Sequence, residues 1–251
     1  MIVCKYHKKY LTLQRNNRFL QVTGTDYKLY NYHMPQLSLF DIASNNSQMP
    51  TAGNQSPATI FKSLLLSTQR EGIENVISEL EKSDFFTAPA STAFHNNTEG
   101  GLLDHCLKVY QMATLIRKDI TALNPKYEEL LPEDSVIIVA LLHDVCKANI
   151  YLKTTKYRKN EKNNWETYEV YTVNYNDMPL GHGEKSVIQL LRMGLSLTRD
   201  EILAIRWHMS AWDLAFQSAE AKGNLNAARD QCPLLCLLSS ADGISSALLE
   251  E

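Results

Sequence analysis

The sequence predicts a mainly α-helical protein that carries one small β-hairpin. Apolar residues recur at spacings of three and four along most of the chain after residue 57, which is the period of one face of a helix. Two segments rich in Tyr, Thr, Val and Trp, at 151–157 and 165–173, flank a polar turn and predict the hairpin. With 251 residues, 44% of them hydrophobic, the chain can form one substantial core.

Residues 1–56 are predicted to be a poorly structured N-terminal extension. Residues 1–34 mix basic and aromatic side chains, and the one regular element indicated is a strand pair at 10–13 and 19–22 that turns at Asn16 and Asn17. Residues 41–57 are rich in Asn, Ser, Gln, Pro and Gly, and such sequence buries too little apolar area to offset the entropy of ordering. We expect a flexible linker there, followed by one domain at 57–251.

A short apolar peptide precedes the linker. It resembles the peptide by which many bacterial DNA-processing proteins dock on the replication sliding clamp, and its matching residues are Gln36, Leu37, Leu39 and Phe40. A disordered peptide that orders on binding would act in this way. The resemblance predicts a sliding clamp as partner of residues 36–40, and the alternative is that these apolar residues pack back on the domain.

Helices follow in order along the predicted domain. Asp134 and Thr198 are suitable N-terminal caps for two of them. Residues 85–101 contain Pro, Asn and paired glycines and predict a loop. The predicted helices cover 58–67, 73–83, a long segment from 102, 135–146, 181–193, the residues after Thr198, and 232–249.

Composition excludes several classes of protein. No apolar run approaches the roughly 20 residues that a membrane helix needs, and the first residues do not form a secretory signal, so we expect a cytoplasmic protein without a membrane partner. Five cysteines in mostly apolar helical patterns indicate reduced thiols rather than a disulfide framework. The net charge of -3 provides no general attraction to nucleic acid, although a local basic patch is compatible with it.

An adjacent imidazole and carboxylate, His143 and Asp144, follow the apolar run 139–142. Polar groups at the end of a buried run need a partner, and a divalent metal ion is the obvious one. His105, His182 and His208 also lie at predicted helix ends, and Asp242 lies inside an apolar helix. Each histidine taken singly is more simply a surface or hydrogen-bonded residue, but together the six indicate a metal site.

Imidazoles combined with carboxylates suit borderline metals, whereas carboxylates alone would suit Mg better. The predicted cofactor is therefore one or two divalent ions, and the choice among Mn, Fe, Co, Zn, Ni and Mg stays open.

The ordered set resembles the HD-domain superfamily of metal-dependent phosphohydrolases, whose pattern is His, then His-Asp, then a distant Asp on a helical bundle. The match covers about residues 85–246 and rests on His105, the His143-Asp144 pair and Asp242. His182 and His208 resemble the two additional histidines of members with a binuclear site. Sequence around 88–90, 99–105, 181–184 and 206–209 resembles the branch of phage-associated HD hydrolases and of the HD domain of a bacterial 3'-to-5' exoribonuclease.

The resemblance implies a role for each residue. His105, His143, Asp144 and Asp242 would hold a first metal, and His182 and His208 a second that Asp144 shares. A divalent ion lowers the pKa of bound water from about 15.7 towards about 7, and a carboxylate such as Asp144 can position that nucleophile.

Lys147 follows the His-Asp pair by three residues and resembles the lysine found here in several phosphodiesterase branches. We assign it a catalytic role in stabilising phosphate charge, and the alternative is a solvated helix-end lysine favoured by the helix dipole. Lys185 and Arg206 are further candidates for binding phosphate.

The predicted function is metal-dependent hydrolysis of a phosphoester in a nucleotide or at a single-stranded nucleic-acid end. Basic and aromatic residues of the hairpin favour a single strand, and their alternative is an edge hairpin that lysines keep soluble. The first 56 residues are too short and irregular for an oligonucleotide-binding barrel, which disfavours processive RNA degradation. The absence of a Gly-Tyr-Pro signature disfavours cyclic-di-GMP as substrate, and the absence of a synthetase half disfavours a complete alarmone enzyme. The alternative from another class is a clamp-tethered adaptor that binds nucleotides or nucleic acid with little catalysis.

Overall fold

The computed structural model describes residues 19–23, 26–30, 56–93, 96–174, 178–210 and 219–250. The chain divides into two units, residues 1–53 and 54–251. The clamp-like peptide at 36–40 and most of the predicted linker lie outside the described residues.

The first unit contains an antiparallel strand pair, Phe19–Thr23 (β1) and Asp26–Tyr30 (β2). The strand predicted at 19–22 is present, but it pairs with the segment that follows it. Its predicted partner at 10–13 lies outside the described residues. Only two residues separate β1 from β2, and such short connections join neighbouring strands at the lowest loop-closure cost.

The second unit is mainly helical with one hairpin, which confirms the predicted fold class. A 3₁₀ turn at Val145–Lys147 connects the first five helices to the hairpin of Tyr151–Lys159 (β3) and Trp165–Val173 (β4). The helices are Pro57–Ser67 (α1), Ile73–Lys82 (α2), Gly101–Leu123 (α3), Tyr127–Leu130 (α4), Glu133–Leu142 (α5), His182–Arg192 (α6), Arg199–Trp207 (α7), Ala219–Gln231 (α8) and Pro233–Ile244 (α9), after which Ser245–Leu249 forms a π-helical turn.

Helix α5 lies at the centre of the core. It is apolar on all sides, as expected for a helix surrounded by protein, and Ile138, Leu141 and Leu142 are fully buried. Helices α1, α3, α7 and α9 all pack against it. The residues that follow α5 are therefore delivered into the interior of the domain.

The ends of α5 differ from those predicted. The helix begins after Pro132 rather than Asp134, because proline has the fixed φ and the missing N–H that suit a helix start. Asp134 lies in the first turn and forms an ion pair with Arg70. The helix ends at Leu142, four residues earlier than predicted, because Asp144 has φ -109° and ψ 20° and the chain then tightens into the 3₁₀ turn.

The β3–β4 hairpin has the position and the polar turn that the sequence predicts. Its register pairs Tyr151 with Val173 at the base and Lys159 with Trp165 at the turn. Asn160 stabilises the turn, since its Oδ1 accepts hydrogen bonds from the backbone N–H groups of Lys162 and Asn164, both at 3.0 Å.

Among the residues that the structure describes, no single helix has the length and apolar composition to cross a membrane. The segments Glu220–Gln231 and Pro233–Leu249 meet those two criteria only as a pair, with a bend of 102° between them.

Candidate metal centre

Three histidines and two aspartates from separate helices meet inside the second unit. His105 lies near the start of α3, His143 and Asp144 follow α5, His208 follows α7, and Asp242 lies on α9. The histidines and Asp144 are buried. Their ligand atoms form two overlapping groups, within each of which every pair of atoms lies within 4.8 Å: His105 with His143 and Asp242, and His143 with Asp144 and His208.

Each of the three imidazoles is held through Nδ1. His143 donates to the carbonyl of Ala140 at 3.0 Å, and His208 donates to the carbonyl of Ile205 at 2.7 Å. A carbonyl can only accept, so these rings carry a proton on Nδ1. Their Nε2 atoms then present lone pairs when the rings are neutral, which is the form in which histidine binds a metal.

The Nε2 atoms converge on the carboxylates. Oδ2 of Asp144 lies 3.4 Å from Nε2 of both His105 and His143. Oδ1 of Asp242 lies 3.5 Å from Nε2 of His105, and the Nε2 atoms of His105 and His143 are 3.2 Å apart. Lone pairs this close to one another and to carboxylate oxygens repel, so the arrangement favours a cation among them.

Two buried atoms of this cluster have no hydrogen-bond partner in the described structure, Oδ1 of Asp144 and Nε2 of His208. They face each other at 3.6 Å. An unpartnered buried polar atom is costly, and one cation in reach of both would satisfy them together. The residues therefore fit a divalent ion of the borderline class that imidazole and carboxylate share.

Lys147 lies beside the same carboxylate. Its Nζ is 2.8 Å from Oδ2 of Asp144, and the residue is only 8% exposed. The interpretation of Lys147 as a solvated helix-end lysine is therefore wrong. Burial alone would raise the pKa of Asp144, but the charges of Lys147 and His143 outweigh it and hold that pKa well below its usual range.

The cluster favours positive charge at His105 and His208. Burial lowers the pKa of His105, but the hydrogen bonds to Asp144 and Glu250 outweigh it and raise the pKa to about 9. His208 shows the same balance, with burial opposed by the nearby carboxylate of Asp144, and its pKa is also raised. Without a metal ion, protons supply part of the positive charge that the carboxylates require.

A cavity of about 290 Å³ opens onto the centre. Its wall includes His105, Asp144, His208 and Asp242 together with Lys147. The remaining lining is formed by one methionine, three serines and one glycine at the exposed side of the cluster: Met209, Ser210, Ser239, Gly243 and Ser246.

A close helix contact positions His208. A Cβ on Gly183 would lie 2.3 Å from the carbonyl oxygen of Arg206 and 2.4 Å from that of Ile205, far inside normal contact. Only glycine lets the start of α6 approach the end of α7 in this way. The carbonyl of Ile205 is also the acceptor that orients His208, so the contact fixes one ligand of the cluster.

Three predicted site residues lie elsewhere. His182 is exposed at the start of α6, and it lines a separate cavity together with Lys185 and Cys146. His182 belongs to neither ligand group, whereas His208, its predicted companion, joins His143 and Asp144. The guanidinium of Arg206 lies 4.3 Å from the ring centroid of Trp207 and 3.8 Å from Glu184, outside the lining of the metal cavity.

Glu250 contacts the cluster, and sequence reasoning missed it. Its side chain is fully buried, and Oε1 lies 2.8 Å from Nδ1 of His105. A carboxylate in this place fixes the orientation of a ligand imidazole and increases its basicity. Glu250 belongs to no recognised motif. The sequence signal that could have pointed to it was an acidic residue shortly after Asp242.

Comparison with known proteins gives one family. The model described as HD domain matches residues 102–247, which is more than half of the chain and includes every residue of the two ligand groups. No curated protein and no solved structure matches. The segment matched, the order of the His and Asp residues and their convergence in space agree, and the chain belongs to the HD-domain family of metal-dependent phosphohydrolases.

Proposed function

We propose that this protein hydrolyses a phosphoester of a nucleotide or of a single-stranded nucleic-acid end, with a divalent ion held at the described centre. The observation that carries the proposal is the buried meeting of His105, His143, His208 and two aspartates at a cavity that Lys147 also lines. Phosphoester hydrolysis uses the metal ligands, the carboxylates and the lysine together.

His105, His143, Asp144 and Asp242 would hold the ion, and His208 completes the group around Asp144. A divalent ion bound here would make water acidic enough to supply hydroxide near neutral pH and would withdraw charge from a phosphoryl oxygen. Asp144 stays ionised because its pKa is held low. It is therefore a hydrogen-bond acceptor that orients the attacking water.

Lys147 is placed to bind the phosphate. Its ammonium lines the cavity and is fixed at 2.8 Å from Asp144. A fixed cation beside the reacting phosphoryl group stabilises the negative charge that grows on its oxygens, and it needs no reorganisation during the reaction. Lys185 and Arg206 stay predictions from sequence for substrate binding, since neither lines this cavity.

The centre would hold either one ion or two. His208 supports a second ion shared by Asp144, but His182 lines a different cavity. Metal content per chain, measured by mass spectrometry of dialysed protein, separates these cases. A binuclear site predicts a content near two that falls towards one in His208→Ala, and a mononuclear site predicts at most one ion in both proteins.

The test of the function is manganese-dependent hydrolysis of a substrate panel by the purified protein. The panel contains nucleoside monophosphates, an alarmone nucleotide and short single-stranded RNA and DNA. Cleavage should vanish in Asp144→Ala and persist in Asp119→Ala, whose carboxylate is exposed on α3. Equal cleavage by Asp144→Ala and the parent protein would refute the assignment of the centre.

The clamp-tethered adaptor and the resemblance to phage-associated and exoribonuclease HD proteins stay predictions from sequence. The docking residues 36–40 lie outside the described structure. Pull-down of a purified sliding clamp by the full chain, compared with Leu39→Ala/Phe40→Ala, tests the docking directly. Equal capture by both proteins would contradict it.

A further inference from the structure

The register of the β3–β4 hairpin sorts its side chains into two faces. Alternate residues of a strand point to the same side of the sheet, and directly paired residues share a side. The register pairs Lys153 with Tyr171, and Lys159 with Trp165. One side therefore carries Tyr151, Lys153, Tyr157, Lys159, Trp165 and Tyr171, together with Thr155, Thr167, Glu169 and Val173. It is here called the aromatic-basic face.

Large rings on this face are open to solvent. Tyr157 is 70% exposed and Trp165 is 69% exposed, near the turn end of the hairpin. Exposed lysines would be enough to keep the hairpin soluble and to prevent its edges from pairing with another chain. Exposed tryptophan and tyrosine have the opposite effect. The rings therefore need an explanation other than solubility.

Each of two rings already has a cation beside it. Nζ of Lys153 lies 5.8 Å from the ring centroid of Tyr171, and Nζ of Lys159 lies 5.6 Å from that of Trp165. Stacking of a nucleobase on an aromatic ring is generally stronger than an exposed cation–π contact. A base can thus displace the amine, which is then free to meet a phosphate.

The base of the hairpin adjoins the segments that lead to the metal centre. A cavity of about 270 Å³ lies between the loop before α3 and the hairpin, and Thr87, Pro89, Tyr151, Lys153 and Tyr171 contribute to its wall. The hydroxyl of Tyr151 donates to the carbonyl of Ala90 at 3.2 Å. The loop continues into the helix of His105, and β3 begins four residues after Lys147.

The charges of the hairpin suit a polyanion. On the aromatic-basic face, Lys153 and Lys159 outnumber Glu169, so this face is basic in a chain of net charge -3. Glu99, which borders the cavity, is 3.8 Å from Lys153, and both side chains are more than half exposed. Such a pair contributes little, so a phosphate can replace the carboxylate.

We propose that the aromatic-basic face binds single-stranded nucleic acid and directs it towards the metal centre. The inference rests on the proposed function and narrows its substrate to a chain of phosphodiesters. A single strand is favoured over a duplex because an aromatic side chain can stack on an unpaired base. In a duplex both faces of each base are covered by the neighbouring base pairs. The lysines on the same face would contact phosphates along the backbone of the bound strand.

The test measures binding of fluorescein-labelled 12-nucleotide single strands of RNA and DNA by the full-length protein in chelator, where no cleavage can occur. Tyr157→Ala/Trp165→Ala should weaken binding about 30-fold or more, since loss of two stacked rings costs at least about 2 kcal/mol. The matched control is Lys156→Ala/Tyr168→Ala, a directly paired lysine and tyrosine on the opposite face. It should change affinity less than threefold.

Unchanged affinity in Tyr157→Ala/Trp165→Ala, an equal loss in the control, or no binding by the parent protein would each overturn the inference. Circular dichroism and the melting temperature establish that each variant is folded. Manganese-dependent hydrolysis of bis(p-nitrophenyl) phosphate by the parent protein is measured in parallel. Its absence would count against the proposed function alone, because binding is measured without metal.

Discussion

His105 and Glu250, which are 145 residues apart in sequence, meet through Nδ1 and Oε1 at 2.8 Å. The contact directs Nε2 of His105 towards Asp144 and Asp242, at 3.4 and 3.5 Å. Glu250 thus orients the candidate metal ligand His105, although it belongs to neither ligand group. The turn after α9 contributes to the centre through this contact.

Removal of Glu250 should weaken metal binding. Loss of the carboxylate that orients a ligand histidine typically costs about 10–100-fold in metal affinity or activity. We expect Glu250→Ala to lower the manganese affinity in a calorimetric titration by that factor. Glu129→Ala, an exposed glutamate on α4, is the control and should bind as the parent does. Equal affinities in all three proteins would show that the contact has no role at the centre.

Replacement of Lys147 should separate catalysis from metal binding. Lys147→Ala removes the buried ammonium beside Asp144, and loss of one fixed group that stabilises transition-state charge costs about 10²–10³-fold in kcat. Metal affinity should not fall, because the ammonium competes with the ion for the carboxylate. The kcat and the manganese Kd are compared with those of Lys118→Ala, an exposed lysine on α3. An unchanged kcat would restrict Lys147 to balancing the charge of Asp144.

The metal-free protein should lose stability as the pH rises from about 6.5 to about 9. Burial lowers the pKa of His105, but hydrogen bonds to Asp144 and Glu250 raise it to about 9. The folded protein therefore holds this proton more tightly than the unfolded chain does. The resulting contribution is complete below the unfolded pKa of about 6.5 and disappears as the pH passes about 9.

Urea denaturation in chelator at pH 6, 7.5 and 9 measures this loss. His105→Gln cannot bind the proton, so its stability should vary less over the same interval. Saturating manganese should also flatten the dependence, because the ion replaces the proton at the histidine. An identical pH dependence in His105→Gln would assign the loss to other groups.

A buried carboxylate far from the cavity should matter for stability alone. Glu201 is fully buried at the start of α7, where it accepts hydrogen bonds from Arg70 and from the hydroxyl of Ser135, each at 2.7 Å. Removing one member of a buried ion pair costs about 3–5 kcal/mol, and the loss should lie towards the lower end of this range because Arg70 keeps its ion pair with Asp134. Urea denaturation of Glu201→Ala should show a loss of this size, with Glu161→Ala in the exposed hairpin turn as the control. A loss below about 1 kcal/mol would mean that water reaches Arg70.

Local patterns predicted most of the regular structure. The helical period located α1, α2 and α3, and Thr198 with Glu201 forms the capping box that starts α7. The order of His105, His143-Asp144 and Asp242 predicted the metal centre, because residue types that bind metal are rare in apolar helices. The β-branched and aromatic residues of 151–157 and 165–173, on either side of a polar turn, predicted the hairpin.

The sequence by itself thus determined the fold class, the family and the residues that can hold an ion, since these depend on local propensity and on residue chemistry. Only the tertiary structure decided which of them meet. It joins His208 to Asp144 and leaves His182 at another cavity, because the close contact of Gly183 with the end of α7 fixes where each helix terminus points. It also brings Glu250 to His105. This contact could not be predicted, because packing between elements that are distant in sequence leaves no pattern in neighbouring residues.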